Sequence, residues 1–222
     1  MRAQAGTPNR PGVGVTKILI ADDHEVVRAG LCALLSDQPN WQVVAEAADG
    51  KEAVAQVLKT TPDIAIVDYS LPLLNGVEVT RQIRLRSPGT EVIIFTMHDS
   101  NSLIQDLLKA GALGYVLKSE AHRLLLAAVE TVAEHKPFFT GMVSETLRQA
   151  FLTKGGDSPL TARERSVVQL IAEGHSNKKA AFILNLSVKT IESHRSAVLR
   201  KLNIHSTAGL VRYAVRNKII DA

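Results

Sequence analysis

The chain has 222 residues, of which 45% are hydrophobic and 22% charged, and it contains one cysteine. This composition is ordinary for folded domains and excludes the disordered and fibrous classes. A single cysteine also excludes an intrachain disulfide and any multi-cysteine zinc site. The apolar runs fall short of the roughly 18–20 residues that span a bilayer, so we expect no membrane partner.

The charge is spread unevenly along the chain. Residues 1–157 carry 15 Lys and Arg against 18 Asp and Glu, whereas residues 158–222 carry 11 against 4. A net charge of −3 is thus followed by one of +7. A basic segment of this kind predicts a domain that binds a polyanion, and a plain solvated basic surface is the alternative.

Residues 1–15 are rich in Gly and Pro and lack the apolar stretch of a secretion signal. They predict a flexible N-terminal tail on a cytoplasmic protein.

Between residues 16 and 136, five short apolar runs alternate with five amphipathic helical patterns. The runs are KILIA, WQVVAEA, IAIVD, EVIIFT and GYVLK. They have the length and the β-branched residues of strands that are buried on both faces. The alternation predicts an α/β fold, a five-stranded doubly wound parallel sheet with helices on both faces. Such sheets place functional residues at the carboxyl ends of their strands.

Polar side chains stand at four of these strand ends: Asp22 and Asp23, then Asp68, Thr96 and Lys118. Crowded carboxylates without a cluster of His or Cys suit a hard cation such as Mg²⁺. Asp68 would then act as a nucleophile toward a phosphoryl group, whose oxygens Thr96 and Lys118 would bind. The alternative is that Asp22 caps a helix and Lys118 only pairs with a carboxylate.

Four motifs in this segment carry a family resemblance: DDH, DYSLPLLNG with Asp68, FTMHDS with Thr96, and GYVLK with Lys118. Residues 16–136 resemble the receiver domain of two-component response regulators, which has a flavodoxin-like fold. The resemblance implies that Asp68 accepts a phosphoryl group from a sensor histidine kinase. It also implies a switch on phosphorylation, in which Thr96 and Tyr115 move together.

The same resemblance implies a Mg²⁺ site, with ligands from Asp22, Asp23, Asp68 and the backbone carbonyl of Ser70. One stretch departs from the family pattern, because LLNG has no acidic residue before its glycine. It lies beyond the ligands, so we expect altered loop behaviour and intact chemistry.

Residues 137–157 read as a linker, with a short helix predicted at 140–152. Residues 158–222 are predicted to be all-helical, with helix starts at Thr161, Ser176, Ser187 and Ser206. On a helical wheel of the third helix, apolar residues including Ile191 share one face. The opposite face is polar and narrow, which suits the floor of a DNA major groove, although a plain solvated face is the alternative. Its residues are Lys189, Ser193, Ser196 and Arg200, with Glu192 at the edge.

Three motifs, LTxRE, GxSNK and SVKTIExHR, make this segment similar to the LuxR-type helix-turn-helix of NarL/FixJ response regulators. The resemblance implies contacts to base edges from Lys189, Glu192, Ser193 and Ser196. It implies phosphate contacts, which position the domain without reading sequence, from Lys178, Lys179, Thr190, Arg195 and Arg200. Ala180 and Phe182 depart from the pattern, so we expect local differences in packing.

The two resemblances together imply a transcription factor, not an enzyme, that binds double-stranded DNA as a homodimer when phosphorylated. Two alternatives stay open. One is a regulator with a vestigial receiver that ignores phosphorylation. The other is a Mg²⁺-dependent phosphohydrolase, but haloacid-dehalogenase enzymes carry an Asp-x-Asp motif after the first strand, and here the two acids are adjacent.

Overall fold

The computed structural model describes residues 14–98, 101–139 and 160–220. The predicted helix at 140–152 and nearly all of the predicted tail lie outside these residues.

Within the described part of the chain, six parallel strands form one sheet in the order β2-β1-β3-β4-β5-β6. They are β1 (Thr16–Ala21), β2 (Trp41–Ala47), β3 (Ile64–Val67), β4 (Glu91–Thr96), β5 (Gly114–Leu117) and β6 (Phe138–Phe139). The prediction of five strands is one short, because β6 pairs in parallel with the start of β5. Two residues are too few to show a strand periodicity in the sequence.

Helices cover both faces of the sheet, as the sequence predicts. They are α1 (Glu25–Ser36), α2 (Gly50–Thr60), α3 (Gly76–Arg86), α4 (Asn101–Ala110) and α5 (Ala121–Ala133). Alternate residues of the strands point to opposite sides. Leu19 and Val67 pack into a cluster with residues of α2, α3 and α4, whereas Ile18 and Ile66 pack into another with residues of α1 and α5. The strands are therefore buried on both faces, which explains their continuous apolar runs.

The described residues of the C-terminal unit form four helices: α6 (Ala162–Ala172), α7 (Asn177–Leu184), α8 (Val188–Leu202) and α9 (Thr207–Arg216). Thr161 and Glu164 form the predicted capping box at the start of α6. The predicted caps Ser176, Ser187 and Ser206 each accept a hydrogen bond from the backbone of the helix that they precede. None of the described helices is long and apolar enough to cross a membrane.

The turn between β3 and α3 sets the geometry after Asp68. A Cβ atom at Gly76 would lie 2.9 Å from the Asp68 carbonyl oxygen and 2.9 Å from the Tyr69 Cα, which is too close for a real side chain. The Gly76 amide donates a hydrogen bond to the Tyr69 carbonyl (2.8 Å), and the Asn75 side chain accepts one from the Glu78 amide as the cap of α3. Glycine is required here because α3 begins directly against the end of β3.

Candidate functional site

The sheet order brings the predicted strand-end residues to one edge. Asp22 and Asp68 directly follow the neighbouring strands β1 and β3, and Thr96 is the last residue of β4. Lys118 directly follows β5. Asp22, Asp68 and Thr96 are buried, with 1%, 3% and 0% of their surfaces exposed. The prediction that these side chains share one edge is confirmed.

Lys118 bridges the two buried carboxylates. Its Nζ atom lies 2.6 Å from Asp22 Oδ2 and 3.0 Å from Asp68 Oδ2. Burial lowers the pKa of Lys118, but the neighbouring charges of Asp68 and Asp22 outweigh burial and raise it. Lys118 is therefore a protonated, positively charged group at neutral pH, and it offsets the repulsion between the two acids.

Asp68 has a strongly shifted pKa. Burial raises it to about 6, the neighbouring charge of Asp22 adds to the increase, and the charge of Lys118 opposes it. A hydrogen bond from the backbone of Ser70 also opposes the increase. Asp68 is mostly ionised at pH 7 and can act as a nucleophile, and it is more basic than an exposed aspartate.

His24 directly follows the acid pair Asp22 and Asp23 after β1, and the sequence predicts no role for it. Ligand atoms of Asp22, Asp23 and His24 all lie within 4.8 Å of one another. His24 Nδ1 is 2.8 Å from Asp23 Oδ1, and the Asp23 charge is the main cause of the raised pKa of His24. The position of His24 directly after the acid pair is the feature of the sequence that indicates a place at this site.

These residues fit a hard divalent cation. Asp22 Oδ2 and Asp23 Oδ1 are buried, and among the described residues neither accepts a hydrogen bond of good geometry, although Lys118 Nζ lies 2.6 Å from the first and His24 Nδ1 2.8 Å from the second. Carboxylate oxygens of this kind are the ligands that Mg²⁺ prefers. Asp68 stands apart from the group formed by Asp22, Asp23 and His24, because the Lys118 ammonium group lies between Asp22 and Asp68.

The predicted switch residues meet at His98, in the loop after β4. Thr96 Oγ1 accepts a hydrogen bond from the His98 backbone amide (3.2 Å), and the buried Tyr115 hydroxyl donates one to the His98 carbonyl. The His98 ring is 2.9 Å from the hydroxyl of Ser70. His98 thus links Thr96, Tyr115 and the loop after Asp68, a role that no periodicity in the sequence indicates.

Helix α8 has the two faces that the wheel predicts. Ile191 and Val198 are fully buried. The residues exposed on its other side are Lys189, Glu192, Ser193, Ser196 and Arg200. The N-terminal part of α7 adds two exposed cations, Lys178 and Lys179.

Two of the predicted phosphate contacts are already engaged within the domain. Arg195 donates hydrogen bonds to Asn177 Oδ1 (3.2 Å) and Thr207 Oγ1 (2.9 Å), so it joins α8 to the starts of α7 and α9. The Thr190 hydroxyl lies 2.8 Å from that of Ser187, the helix cap. Both side chains have structural partners as well as their predicted role.

The two residues of α7 that depart from the family pattern, Ala180 and Phe182, differ in burial. Ala180 is buried in the core, whereas Phe182 is 68% exposed. Cations approach the Phe182 ring from both units, Lys51 of α2 at 4.9 Å and Lys179 at 5.8 Å from its centre.

Comparisons with known proteins agree with this geometry. A response regulator receiver domain matches residues 18–130, and the luxR family of bacterial regulatory proteins matches residues 158–214. The oxygen regulatory protein NreC of Staphylococcus epidermidis is 38% identical over 216 residues, which cover 92% of this chain and 99% of NreC.

Solved structures are similar as well. A LuxR-family two-component response regulator from Aurantimonas sp. SI85-9A1 is 35% identical, with a TM-score of 0.58 over 62% of this chain and 98% of that one. RcsB from Salmonella enterica serovar Typhimurium, bound to promoter rprA in the presence of the phosphomimetic BeF3⁻, is 27% identical. Its TM-score is 0.65, over 89% of this chain and 97% of that one. This chain belongs to the two-component response regulators that join a receiver domain to a LuxR-type DNA-binding domain.

Proposed function

We propose that this response regulator is a transcription factor whose DNA binding is controlled by phosphorylation of Asp68 by a sensor histidine kinase. The observation that carries the proposal is the buried Asp68 carboxylate, held 3.0 Å from Lys118 at the edge of the sheet where Asp22 and Thr96 also lie. The paired carboxylates and the cation suit phosphoryl transfer, in which catalysis consists mostly of positioning and charge neutralisation.

The side chains divide the work of the transfer. An Asp68 oxygen attacks the phosphorus atom, and the bond from phosphorus to the histidine nitrogen of the kinase breaks. Lys118 neutralises one phosphoryl oxygen, and Thr96 donates its hydroxyl hydrogen to another. Asp22, Asp23, Asp68 and the carbonyl of Ser70 would hold Mg²⁺, whose contribution when bound would be further neutralisation of the phosphoryl charge.

The C-terminal unit would bind the major groove of double-stranded DNA through α8. Lys189, Glu192, Ser193 and Ser196 would contact base edges, and the surrounding residues Lys178, Lys179, Thr190, Arg195 and Arg200 would contact phosphates. All but Thr190 and Arg195 are exposed, as such contacts require. Like RcsB, which was solved on a promoter with a phosphomimetic, this chain would bind DNA in its activated form.

The function can be tested with acetyl phosphate and Mg²⁺, read by light scattering and by DNA-binding anisotropy on the same samples. We expect dimerisation and tighter DNA binding, both lost in Asp68→Asn. Labelling of Asp68 with neither change would contradict control of DNA binding by phosphorylation. Continuing release of phosphate from small esters, beyond one equivalent per chain, would favour a phosphohydrolase.

Arg200→Ala is expected to weaken binding to every DNA sequence and to lower the slope of log K against log salt by about 1, because one phosphate contact is lost. The matched control is Lys59→Ala, which removes an exposed cation from α2 of the receiver. A salt titration of both variants on two unrelated duplexes checks the result. A changed preference between the duplexes with an unchanged salt slope would contradict the phosphate role.

A further inference from the structure

Glu192 is an acid on the DNA-facing side of a unit that is otherwise basic. The C-terminal unit carries four acids, and the structure describes three of them, Glu164, Glu173 and Glu192. Glu164 pairs with Lys201 (2.7 Å), and Glu173 accepts a hydrogen bond from the Gln169 side chain (2.8 Å). Glu192 is exposed on α8, and its side chain forms no hydrogen bond or ion pair with another described residue.

Basic residues lie near Glu192 along the helix without pairing with it. Residues three apart on an α-helix are neighbours on its surface. In the described part of the chain, Lys189 precedes Glu192 by three positions and forms no ion pair with it. Arg195 follows by three positions, and its guanidinium group instead donates to Asn177 Oδ1 (3.2 Å) and Thr207 Oγ1 (2.9 Å). Both carboxylate oxygens of Glu192 are therefore open to a group that lies against α8.

The chemistry of a carboxylate restricts what that group can be. Phosphate repels a carboxylate, so an acid on this face is tolerated only where a hydrogen-bond donor meets it. An ionised carboxylate accepts hydrogen bonds and cannot donate them. In the major groove the donors are the N4 amino group of cytosine and the N6 amino group of adenine, whereas guanine and the O4 of thymine present acceptors. Adenine also places its N7 acceptor beside the amino group, which disfavours the second carboxylate oxygen. Cytosine is therefore the base that fits Glu192 best.

Val188 adds an apolar side chain to the same side of α8. It is the first residue of the helix and is 40% exposed. Val188 precedes Glu192 by four positions, so the two share one face and lie about 6 Å apart along the helix axis. The next residues on this side, Ser193 and Ser196, are short and exposed, so they leave space for α8 to approach the base edges. The apolar group that the major groove offers is the methyl group of thymine.

We propose that Glu192 selects a cytosine in each half-site through its N4 amino group, and that Val188 selects a thymine through its methyl group. A distance of 6 Å corresponds to roughly two base pairs, so the two selected bases lie within about two base pairs of each other. This inference rests on the proposed function and adds which bases α8 prefers. Lys178, Lys179 and Arg200 would contribute affinity for any sequence, whereas Glu192 and Val188 contribute the preference.

The first test is a selection of half-sites from a random duplex library by the full chain with Mg²⁺ and beryllofluoride. For the wild type we expect one position to be cytosine, with a loss of about 5- to 150-fold when another base stands there. Glu192→Gln should select adenine at that position and leave the other positions unchanged, because glutamine has the same shape and pairs with adenine N6 and N7. The matched control is Glu130→Gln, which removes an exposed acid from α5 of the receiver and should keep the wild-type sequence.

The second test changes single groups of the selected duplex and measures DNA-binding anisotropy. Replacing the cytosine by 2-pyrimidinone exchanges its amino group for hydrogen. The wild type should lose about 5- to 150-fold in affinity, whereas Glu192→Ala should bind both duplexes equally. Replacing the thymine by uracil removes its methyl group, which should cost the wild type about fourfold and Val188→Ser nothing.

The outcomes separate this inference from the proposed function. An unchanged selected sequence in Glu192→Gln overturns the role of Glu192, and so does tighter binding of that variant to every sequence without a new preference. Equal binding of the thymine and uracil duplexes by the wild type overturns the role of Val188. In each of these cases the response to beryllofluoride, lost in Asp68→Asn, leaves the proposed function intact. A wild-type chain that enriches no sequence overturns both proposals.

Discussion

Asp68→Asn is expected to abolish phosphorylation and, without Mg²⁺, to raise the free energy of unfolding at pH 8 by about 3 kcal/mol. The second effect follows from the pKa of Asp68, which rises from 3.8 to about 6 on folding because the carboxylate is buried beside Asp22. A difference of about two pKa units corresponds to roughly 3 kcal/mol of unfavourable free energy in the charged native state. Asparagine fills the same volume without that charge.

The stabilisation by Asp68→Asn depends on pH, because the pKa of Asp68 is higher in the folded chain than in the unfolded chain. Between pH 3.8 and 6 the native state binds more protons at Asp68 than the unfolded chain does, so the wild type loses stability as the pH rises through this window. The advantage of Asp68→Asn is complete above about pH 7, near half at pH 5, and small near pH 4. Urea unfolding at pH 8 and pH 5 in EDTA measures the stability difference between Asp68→Asn and the wild type. Labelling with radioactive acetyl phosphate measures the loss of phosphorylation. Equal advantages at both pH values, or label retained on another acid, would contradict this account.

The sheet and its functional edge were predictable because local signals and topology agree. Runs such as IAIVD and EVIIFT are apolar throughout, which is how a strand buried on both faces reads, and the strands end within a residue or so of the predicted positions. Parallel connections then bring Asp22, Asp68 and Thr96 to one edge without any knowledge of contacts. The predicted caps of the C-terminal helices were found for the same reason, since a cap depends on neighbouring residues alone.

The contacts of Lys118, His98 and α6 could not be predicted from the sequence, because each depends on residues that are distant along the chain. Lys118 and Asp68 are 50 residues apart, and which carboxylate the ammonium approaches depends on side-chain geometry. On α6, the polar residues Arg165 and Gln169 are both buried. Their partners lie on the receiver, with Leu71 98 residues from Gln169, and no local pattern encodes a contact across that separation.

Lys118→Met is expected to lower the free energy of unfolding by about 3–5 kcal/mol in EDTA, the usual effect of leaving a buried charge unpaired. Asp22 and Asp68 are 1% and 3% exposed, and Lys118 is the cation that lies between them. Methionine keeps most of the side-chain volume, so a cavity is not the main cause of the loss. Phosphorylation by acetyl phosphate should also slow, by about 10²–10³-fold, because one charge that stabilises the phosphoryl oxygens is gone.

Two further measurements separate this electrostatic cause from a general loss of packing. Mg²⁺ should restore stability to Lys118→Met more than to the wild type, because a bound cation neutralises the acids that Lys118 no longer pairs, and ligand binding stabilises the native state. At pH 8, Asp68→Asn should stabilise Lys118→Met by more than the about 3 kcal/mol that it adds to the wild type, since the Asp68 charge has lost its partner in Lys118→Met. Strict additivity of the two substitutions, together with no effect of Mg²⁺, would show that Lys118 acts through packing and not through its charge.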